Sequence, residues 1–598
     1  MSDRPPSPEL RRTSPLEQKP VLIVGWDGGS WTVFRPLVEK GRMPNLKVLM
    51  DRGCWGVMRS TVPYLTPPAW TTMATGLRPE KHGLFGFFEG RLLGDPLPGG
   101  VDSLRPVNSR SVQAPDLHDL FSAAGRNVLS VNFPTTWPPR PIRGVMVCGM
   151  MTPLGTKDFT WPPELKEELA GYEIDITGGT DPKKKTIRSG QYDDVAFVRK
   201  CTEIMRKRSE AVRRLGRKYP WDLGLVVFTG PDRICHRVWT PIAAYVAGDG
   251  PGGRIGEALD EFFGELDAAL GRLTEDAPDA RVLIVSDHGF GPRPTRAVYP
   301  NVCLERGGFL VRLKRPSEGS VVRRLARDAR RIVRRLMETL LPRRLVRRLL
   351  ASVDTRETRV MRTLDLARTR AYFVNVDNGE YGAVRLVPET TAALKDAGLR
   401  PGEAGLPPGD AGLRPGEAGR EALIEEILAA LQTMTDPGTG APVAAEVSRA
   451  RDVFPDAPDP VRDLLPEIVI HFFPNYTGRV DPLETRLVDE HVASPPGWHR
   501  MEGMYVLAGA PARPAGESPE LSLEDVAPTV LYLAGLPVPP AMQGEIPVHL
   551  LDDRYVAEHP AVTGGPGAAE PGNRARPRYS PDEEQELRDR LKHLGYLE

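Results

Sequence analysis

The chain has 598 residues, 40% of them hydrophobic and 26% charged, a composition that supports a sizeable globular core. Its 79 Lys and Arg match 79 Asp and Glu, so the formal net charge is zero, which argues against a global nucleic-acid binder and leaves local basic patches at most. The length fits three to five domains of ordinary size or one large elaborated one.

Residues 1–19 are rich in proline, lack a hydrophobic period and hold no apolar stretch of the kind a secretory signal needs; they read as a disordered tail. The folded part opens at Pro20 with VLIVGWDGG, and LGLVVFTGPD (223–232) and RVLIVSDHG (281–289) are runs of the same type. Each is short, rich in β-branched residues and free of alternation, as strands buried on both faces of a parallel sheet are. Helical patterns separate them, such as EALDEFFGELDAALGRL (257–273) with apolar residues at threes and fours. Strands alternating with helices predict an α/β fold around a central, mostly parallel sheet. The longest purely apolar runs fall far short of the ~20 residues of a membrane span. Cys54, Cys148, Cys201, Cys235 and Cys303 are odd in number and widely spaced, unlike a disulfide framework, and the default compartment is the cytoplasm.

Between Arg315 and Leu350 stand twelve arginines against Glu318, Asp328 and Glu338. Val322, Leu325, Ala329, Ile332 and Leu336 keep helical spacing, and Pro342 breaks the segment into two helices. One reading is an inserted cap with a solvated basic face; the other is a basic amphipathic surface for anionic lipid, nucleic acid or a polyanionic substrate. Residues 398–418 are three tandem heptapeptides, GLRPGEA, GLPPGDA and GLRPGEA, too rich in Gly and Pro to build a core and expected as a flexible insertion. After a Pro/Gly/Ala-rich linker, SPDEEQELRDRLKHLGYLE predicts a terminal helix: Ser580 and Glu583 form a capping box, Pro581 suits the first turn, and Leu587, Leu591 and Leu594 make one stripe.

The three buried-strand candidates each end in an aspartate, Asp27, Asp232 and Asp287, and ligands of open α/β sheets bind at the carboxyl ends of strands. His236 follows Asp232 by four residues, His288 adjoins Asp287, and His499 sits in a Gly/Pro-rich loop before the apolar run MYVLAG. A lone aspartate after a strand is more often a turn or helix cap. Three carboxylates and three imidazoles together form a mixed N/O set suited to zinc or manganese better than to calcium or magnesium.

VLIVGWDGGSWTVFRPLVEKGRMPNLKVLMDRG (21–53), TPPAWTTMATGLRPEKHGLFGF (66–87), GPDRICH (230–236), VSDHGFG (285–291), GWHRMEGMYVLAG (497–509) and EDVAPTVLYLAGLPVPPAMQG (524–544) form an ordered series of blocks. In this series the chain resembles the alkaline phosphatase superfamily, in its type I phosphodiesterase and nucleotide pyrophosphatase branch. The resemblance implies an alkaline-phosphatase-like three-layer αβα sandwich with a central mostly parallel sheet and an inserted helical cap. It implies two divalent ions, zinc or manganese: one held by Asp232, His236 and His499, the other by Asp27, Asp287 and His288, with the nucleophile Thr66 coordinating between them. The implied chemistry is phosphoester hydrolysis through a phosphothreonine intermediate, on a small-molecule or lipid-linked substrate; monoester hydrolysis, a phosphomutase or phospho-substituent transfer would use the same centre, and a non-catalytic relative would keep only its fold. Taken alone, Thr66 also suits an ordinary helix N-cap before a helix over 67–76.

The chain departs from the branch at one point. Nucleotide pyrophosphatases carry an asparagine about twenty residues after the nucleophile, donating to a phosphoryl oxygen; here the position is Phe87. Backbone amides next to Thr66, Lys81 or His82 are the candidate replacements. Asn132 and Thr135, in SVNFPTTWPPRPIRGVMVCGMMTP (130–153), are candidate substrate contacts or simply parts of a Pro-rich loop. Thr66-Pro-Pro-Ala-Trp does not fit the sulfatase nucleophile motif, and the extra arginine-bearing motif of phosphonoacetate hydrolases is missing. The resulting organisation is a tail (1–19), the N-terminal part of a catalytic domain (20–310), the Arg-rich cap (311–365), the C-terminal part of that domain (366–552), a linker (553–579) and a terminal helix (580–598).

Overall fold

All six residues of β1 (Val21–Trp26) are buried, as an uninterrupted apolar run at the centre of a sheet requires. The computed structural model describes residues 19–89, 105–176, 193–248, 252–313, 363–376, 379–387, 417–481, 484–490, 496–564, 579–594 and 596. The expected tail up to Gln18, the Arg-rich segment from 314 to 362 and the heptapeptides up to Gly416 lie outside these residues.

The chain divides into two compact units. The first holds Met1–Glu89, Arg105–Arg293 and Ala493–Glu598; the second holds Gly90–Leu104 and Pro294–Val492. The first unit contains β1, β2 (Gly53–Arg59), β3 (Val128–Phe133), β4 (Gly144–Cys148), β5 (Thr160–Trp161), β6 (Leu223–Phe228) and β7 (Arg281–Val285). With Glu502–Ala508 and two short edge segments they form a ten-stranded sheet ordered Gly516–Glu517, β2, Glu502–Ala508, β7, β1, β6, β3, β4, β5, with Leu521–Ser522 also on β2. From β7 through β1, β6 and β3 to β4 all pairs are parallel. Glu502–Ala508 runs antiparallel between β7 and β2, and β5 antiparallel to β4. The protein is thus an α/β fold with a large, mixed, mostly parallel sheet flanked by helices.

Alternation along the strands assigns the two faces. Val21 and Ile23 of β1 join Leu225, Val227, Leu283 and Val285 in one core with Trp70, Phe121, Val530 and Leu533. On the other face Trp26 meets Phe34 at 4.7 Å between ring centroids, and Phe34 meets Phe263 at 6.0 Å, so the helices Trp31–Glu39 and Arg254–Asp276 cover it. Each such Leu, Val or Phe contributes about 1.5–3 kcal/mol on burial. Gly25 is required where the helix Thr66–Thr75 crosses β1: a Cβ there would lie 2.4 Å from the Trp70 ring. β6 and β7 flank β1 on opposite sides, so the chain crosses over β1 between them, and the carboxyl ends of these three parallel strands lie side by side.

The C-terminal helix Pro581–His593 belongs to this unit and has the expected capping box between Ser580 and Glu583. Leu587, Leu591 and Leu594 are buried along one stripe, and Tyr579 stacks on Trp137 with its hydroxyl between the carbonyls of Val107 and Met151.

In the second unit Ala371–Asn375, Tyr381–Leu386, Ile468–Phe472 and Ala444–Arg449 form an antiparallel sheet in that order. The helix Glu417–Gln432 buries Ile424, Ile427, Leu428 and Leu431 at helical spacing. The short strands of this unit up to Phe472 pair among themselves and not with the strands of the central sheet. Among the described residues no helix is long and apolar enough to cross a membrane.

Candidate metal centre

β1 delivers Asp27 directly: its N–H donates to Phe228 O at 3.1 Å, so the β1–β6 pairing runs up to the carboxylate-bearing residue. The next residue, Gly28, turns with φ +69°, and its N–H donates to Asp287 Oδ1 at 3.1 Å. A Cβ on Gly28 would stand 3.1 Å from the Asp232 backbone, so a side chain is doubly disfavoured there. Asp287 and His288 follow β7 after Ser286, whose hydroxyl accepts the Met504 N–H, while Ser60 Oγ donates to Asp287 O at 2.5 Å.

Two placements differ from expectation. Asp232 is not at the end of β6; that strand closes at Phe228, and Gly230 and Pro231 start the helix Gly230–Ala247, whose first turn carries Asp232. Proline in a first turn is what permits this onset. The helix then puts His236, four residues on, over the same face. His499 lies not in a loop but in the strand Gly497–Arg500, antiparallel to Gly289–Pro292 with His499 opposite Phe290. That ladder carries His499 to His288, ring centroids 3.7 Å apart.

All six Asp and His residues converge and are buried. Asp232 Oδ1 stands 3.4 Å from His236 Nε2 and 3.3 Å from His499 Nε2, and these two nitrogens are 3.0 Å apart. His288 Nε2 lies 3.3 Å from Asp287 Oδ2 and 3.9 Å from Asp27 Oδ1. Ligand atoms of Asp27, Asp287 and His288 lie within 4.8 Å of one another, and so do those of Asp232, His288 and His499; His288 is common to both groups. The outward nitrogens set the tautomers. His499 Nδ1 faces Tyr64 O at 3.2 Å and His288 Nδ1 faces Gly289 O at 3.1 Å. A carbonyl only accepts, so both Nδ1 atoms carry the proton and both Nε2 atoms turn a lone pair inward.

Burial pushes the Asp27 carboxyl well up, and the Asp287 and Asp232 carboxylates add to the effect. Asp287 is likewise raised, first by burial. Burial lowers His288 well below its usual value and His499 to about 4, so both imidazoles are neutral at pH 7. Burial also opposes the charge on Asp232, but His236 and Arg233 outweigh it and hold this carboxyl well below the usual range.

Thr66 opens the helix Thr66–Thr75, whose cap is Leu65, so the N-cap role does not fall to Thr66. Its Oγ1 is buried and has no hydrogen-bond partner among the described residues. Pro67 and Pro68 carry no N–H, and Ala69 N–H is bonded to Leu65 O, which leaves only the Thr66 amide from the backbone donors expected there. His82 is not free for an oxyanion role: Leu84 N–H donates to its Nδ1, and its Nε2 pairs with Thr72 Oγ1 at 3.0 Å. Burial lowers this imidazole to about 3. Lys81, beside it, is partly exposed. Asn132 has φ +62° at the end of β3 and donates through Nδ2 to Val227 O, leaving a buried Oδ1, an acceptor and not a donor. Thr135 Oγ1 donates to Pro134 O. Phe87 packs on Tyr596 at 4.7 Å.

Three residues escaped the sequence reading. Asp232 Oδ2 receives the Tyr596 hydroxyl at 2.6 Å and a bond from Arg233, and Arg233 is paired in turn with Asp175 at 2.6 Å. Arg233 sits inside the GPDRICH block, so only its type was visible; Asp175 and Tyr596 had no local signal.

The donor set fits divalent metal. Both Asp27 oxygens, Asp287 Oδ2 and His288 Nε2 are buried without a hydrogen bond to any of the described residues. Such atoms carry a penalty of about 1–3 kcal/mol or more each unless something binds them, and a dication answers carboxylates and neutral imidazoles together. The α/β fold and this buried cluster define an enzyme-like scaffold with a candidate metal centre at its sheet ends. The family of type I phosphodiesterases / nucleotide pyrophosphatases matches residues 21–363, and the chain belongs to it and so to the alkaline phosphatase superfamily. No curated protein matches the sequence. Among solved structures it is similar to phosphonoacetate hydrolase from Sinorhizobium meliloti 1021 in complex with phosphonoformate, at 14% identity over 88% of this chain and 98% of that one, TM-score 0.49. Murine ectonucleotide pyrophosphatase / phosphodiesterase 5 matches at 13% identity over 89% and 100%, TM-score 0.41, and the human protein at 13% over 90% and 100%, TM-score 0.43.

Proposed function

We propose that the protein is a two-metal phosphoester hydrolase, foremost a phosphodiesterase, with Thr66 as nucleophile. The observation that carries this reading is the set of buried, unpartnered donor atoms on Asp27, Thr66, Asp287 and His288, in a chain of the type I phosphodiesterase family. Asp232, His236 and His499 would hold one ion and Asp27, Asp287 and His288 the other, zinc or manganese by their mixed N/O character. Bound there, the ions supply Lewis acidity to the hydroxyl and to the phosphoryl oxygens.

Thr66 Oγ attacks phosphorus, the bond to the leaving oxygen breaks, the alcohol departs with the threonine proton, and a threonine phosphoester remains. Water then attacks that phosphorus, the bond to Thr66 Oγ breaks, and the hydroxyl is restored with its proton. The start of the helix Thr66–Thr75 favours the negative charge through its dipole. The buried walls around the six ligand residues exclude bulk water, which strengthens each of these interactions. Five unpaired cysteines support a reducing, cytoplasmic compartment.

The test compares bis-p-nitrophenyl phosphate with p-nitrophenyl phosphate, on protein stripped by chelator and reloaded with Zn²⁺ or Mn²⁺. Metal-dependent turnover with the diester preferred is expected. A preferred monoester would overturn the diesterase assignment, and no metal-dependent turnover of either would overturn the hydrolase reading.

A further inference from the structure

The C-terminal helix ends within reach of the candidate metal centre, 364 residues along the chain from the carboxylate it meets. Its position is fixed from several sides. Leu587 and Leu591 are buried, Arg590 Nη2 donates to Thr152 O at 3.0 Å, Glu586 accepts the Leu154 N–H at 3.0 Å, and the Tyr596 N–H closes the helix end on Leu591 O at 2.9 Å. The Tyr596 ring then lies 5.1 Å from His236 and 5.7 Å from His499 by centroids.

The hydroxyl has one proton and two neighbours. Arg233 Nη1 stands 2.6 Å away and only donates, so the hydroxyl accepts from it and must direct its own proton to Asp232 Oδ2, also 2.6 Å away. Arg233 donates to the same oxygen, which closes a three-membered loop of hydrogen bonds on one side of the carboxylate. The other oxygen, Oδ1, is thereby left toward His236 and His499.

We propose that Tyr596 is a positioning residue of the metal centre, fixing the Asp232 carboxylate so that Oδ1 faces the ion held with His236 and His499. This rests on the metal reading above. A carboxylate that is hydrogen-bonded through its second oxygen is a better-oriented ligand, and loss of such a partner typically weakens metal binding about 10–100-fold. The terminal helix is on this view part of the active site and not an appendage behind a linker.

The test is zinc binding to the full-length, metal-stripped protein by competition with a fluorescent zinc chelator, in wild type and Tyr596→Phe, with the thermal midpoint of each metal-free protein. Tyr596→Phe keeps the ring and its packing and removes only the hydroxyl. Two binding events are expected in the wild type, with one weakened roughly tenfold or more in Tyr596→Phe at an unchanged midpoint. Unchanged affinities in Tyr596→Phe beside normal wild-type binding would overturn this inference alone, as would equal weakening of both events with a lowered midpoint. No zinc binding by the wild type would overturn the metal reading and this inference with it.

Discussion

His236 Nε2 and His499 Nε2 lie 3.0 Å apart, although 263 residues separate them in the chain. His499 offers a lone pair at that atom because its Nδ1–H is spent on Tyr64 O. His236 Nδ1 is buried and has no hydrogen-bond partner among the described residues. In the metal-free protein the His236 proton therefore bridges the two Nε2 atoms. If a dication bound beside Asp232 Oδ1, as the proposed function has it, the His236 proton would move to Nδ1 and both Nε2 lone pairs would turn to the ion; the helix Gly230–Ala247 carries His236 and the strand Gly497–Arg500 carries His499.

Gly28→Ala is expected to destabilise the protein by about 1–3 kcal/mol, since alanine is strained at φ +69° and its Cβ meets the Asp232 backbone. The same change loosens the Gly28 N–H bond to Asp287. Chemical denaturation of the metal-free variant measures the first effect, and zinc competition the second.

Arg233→Met leaves Asp175 buried without its cation. Removing one partner of a buried pair costs about 3–5 kcal/mol. The double variant Arg233→Met/Asp175→Leu removes that stranded charge, so it is expected to regain part of the loss in denaturation midpoint.

His82 gives a pH dependence with a definite sign. Its folded value is about 3, against about 6.5 when unfolded. Between these values the unfolded chain binds the proton and the folded one does not, so stability falls as pH drops from about 6.5 toward 3, by about 1.4 kcal/mol per unit. His82→Gln keeps polar atoms near Thr72 and Leu84 and lacks this titration. Denaturation curves between pH 4 and 7 are expected to show a shallower slope for the variant than for the wild type.

Leu587→Ala opens a cavity in the core beneath the terminal helix and is expected to cost about 2–5 kcal/mol. Cleavage by limited proteolysis after Tyr579 is expected to accelerate in parallel.

How legible these features are in the sequence depends on how local their causes are. β1, β6 and β7 stand out because strands buried on both faces need unbroken apolar runs; Asp27 follows β1 directly and Asp287 follows β7 after Ser286. Asp232 reads as a strand end because Phe228 and the acid are only four residues apart; Pro231 is the available signal for a helix start. Gly497–Arg500 is four residues long, too short for a period to declare itself. The role of Pro67 and Pro68 in removing amide donors was readable from residue type alone. Tyr596 was not: its partner is Asp232, and only the packing of the terminal helix brings the two together.

The measurement closest to the heart of the account follows Thr66 during turnover of bis-p-nitrophenyl phosphate by the zinc-loaded protein. Acid-quenched wild type is expected to carry the substrate's phosphoryl substituent on the peptide that contains Thr66, seen by mass spectrometry, and Thr66→Ala to lose it together with at least ~10³-fold in rate. A Thr66→Ala protein that hydrolyses the diester at the wild-type rate would contradict Thr66 as the nucleophile.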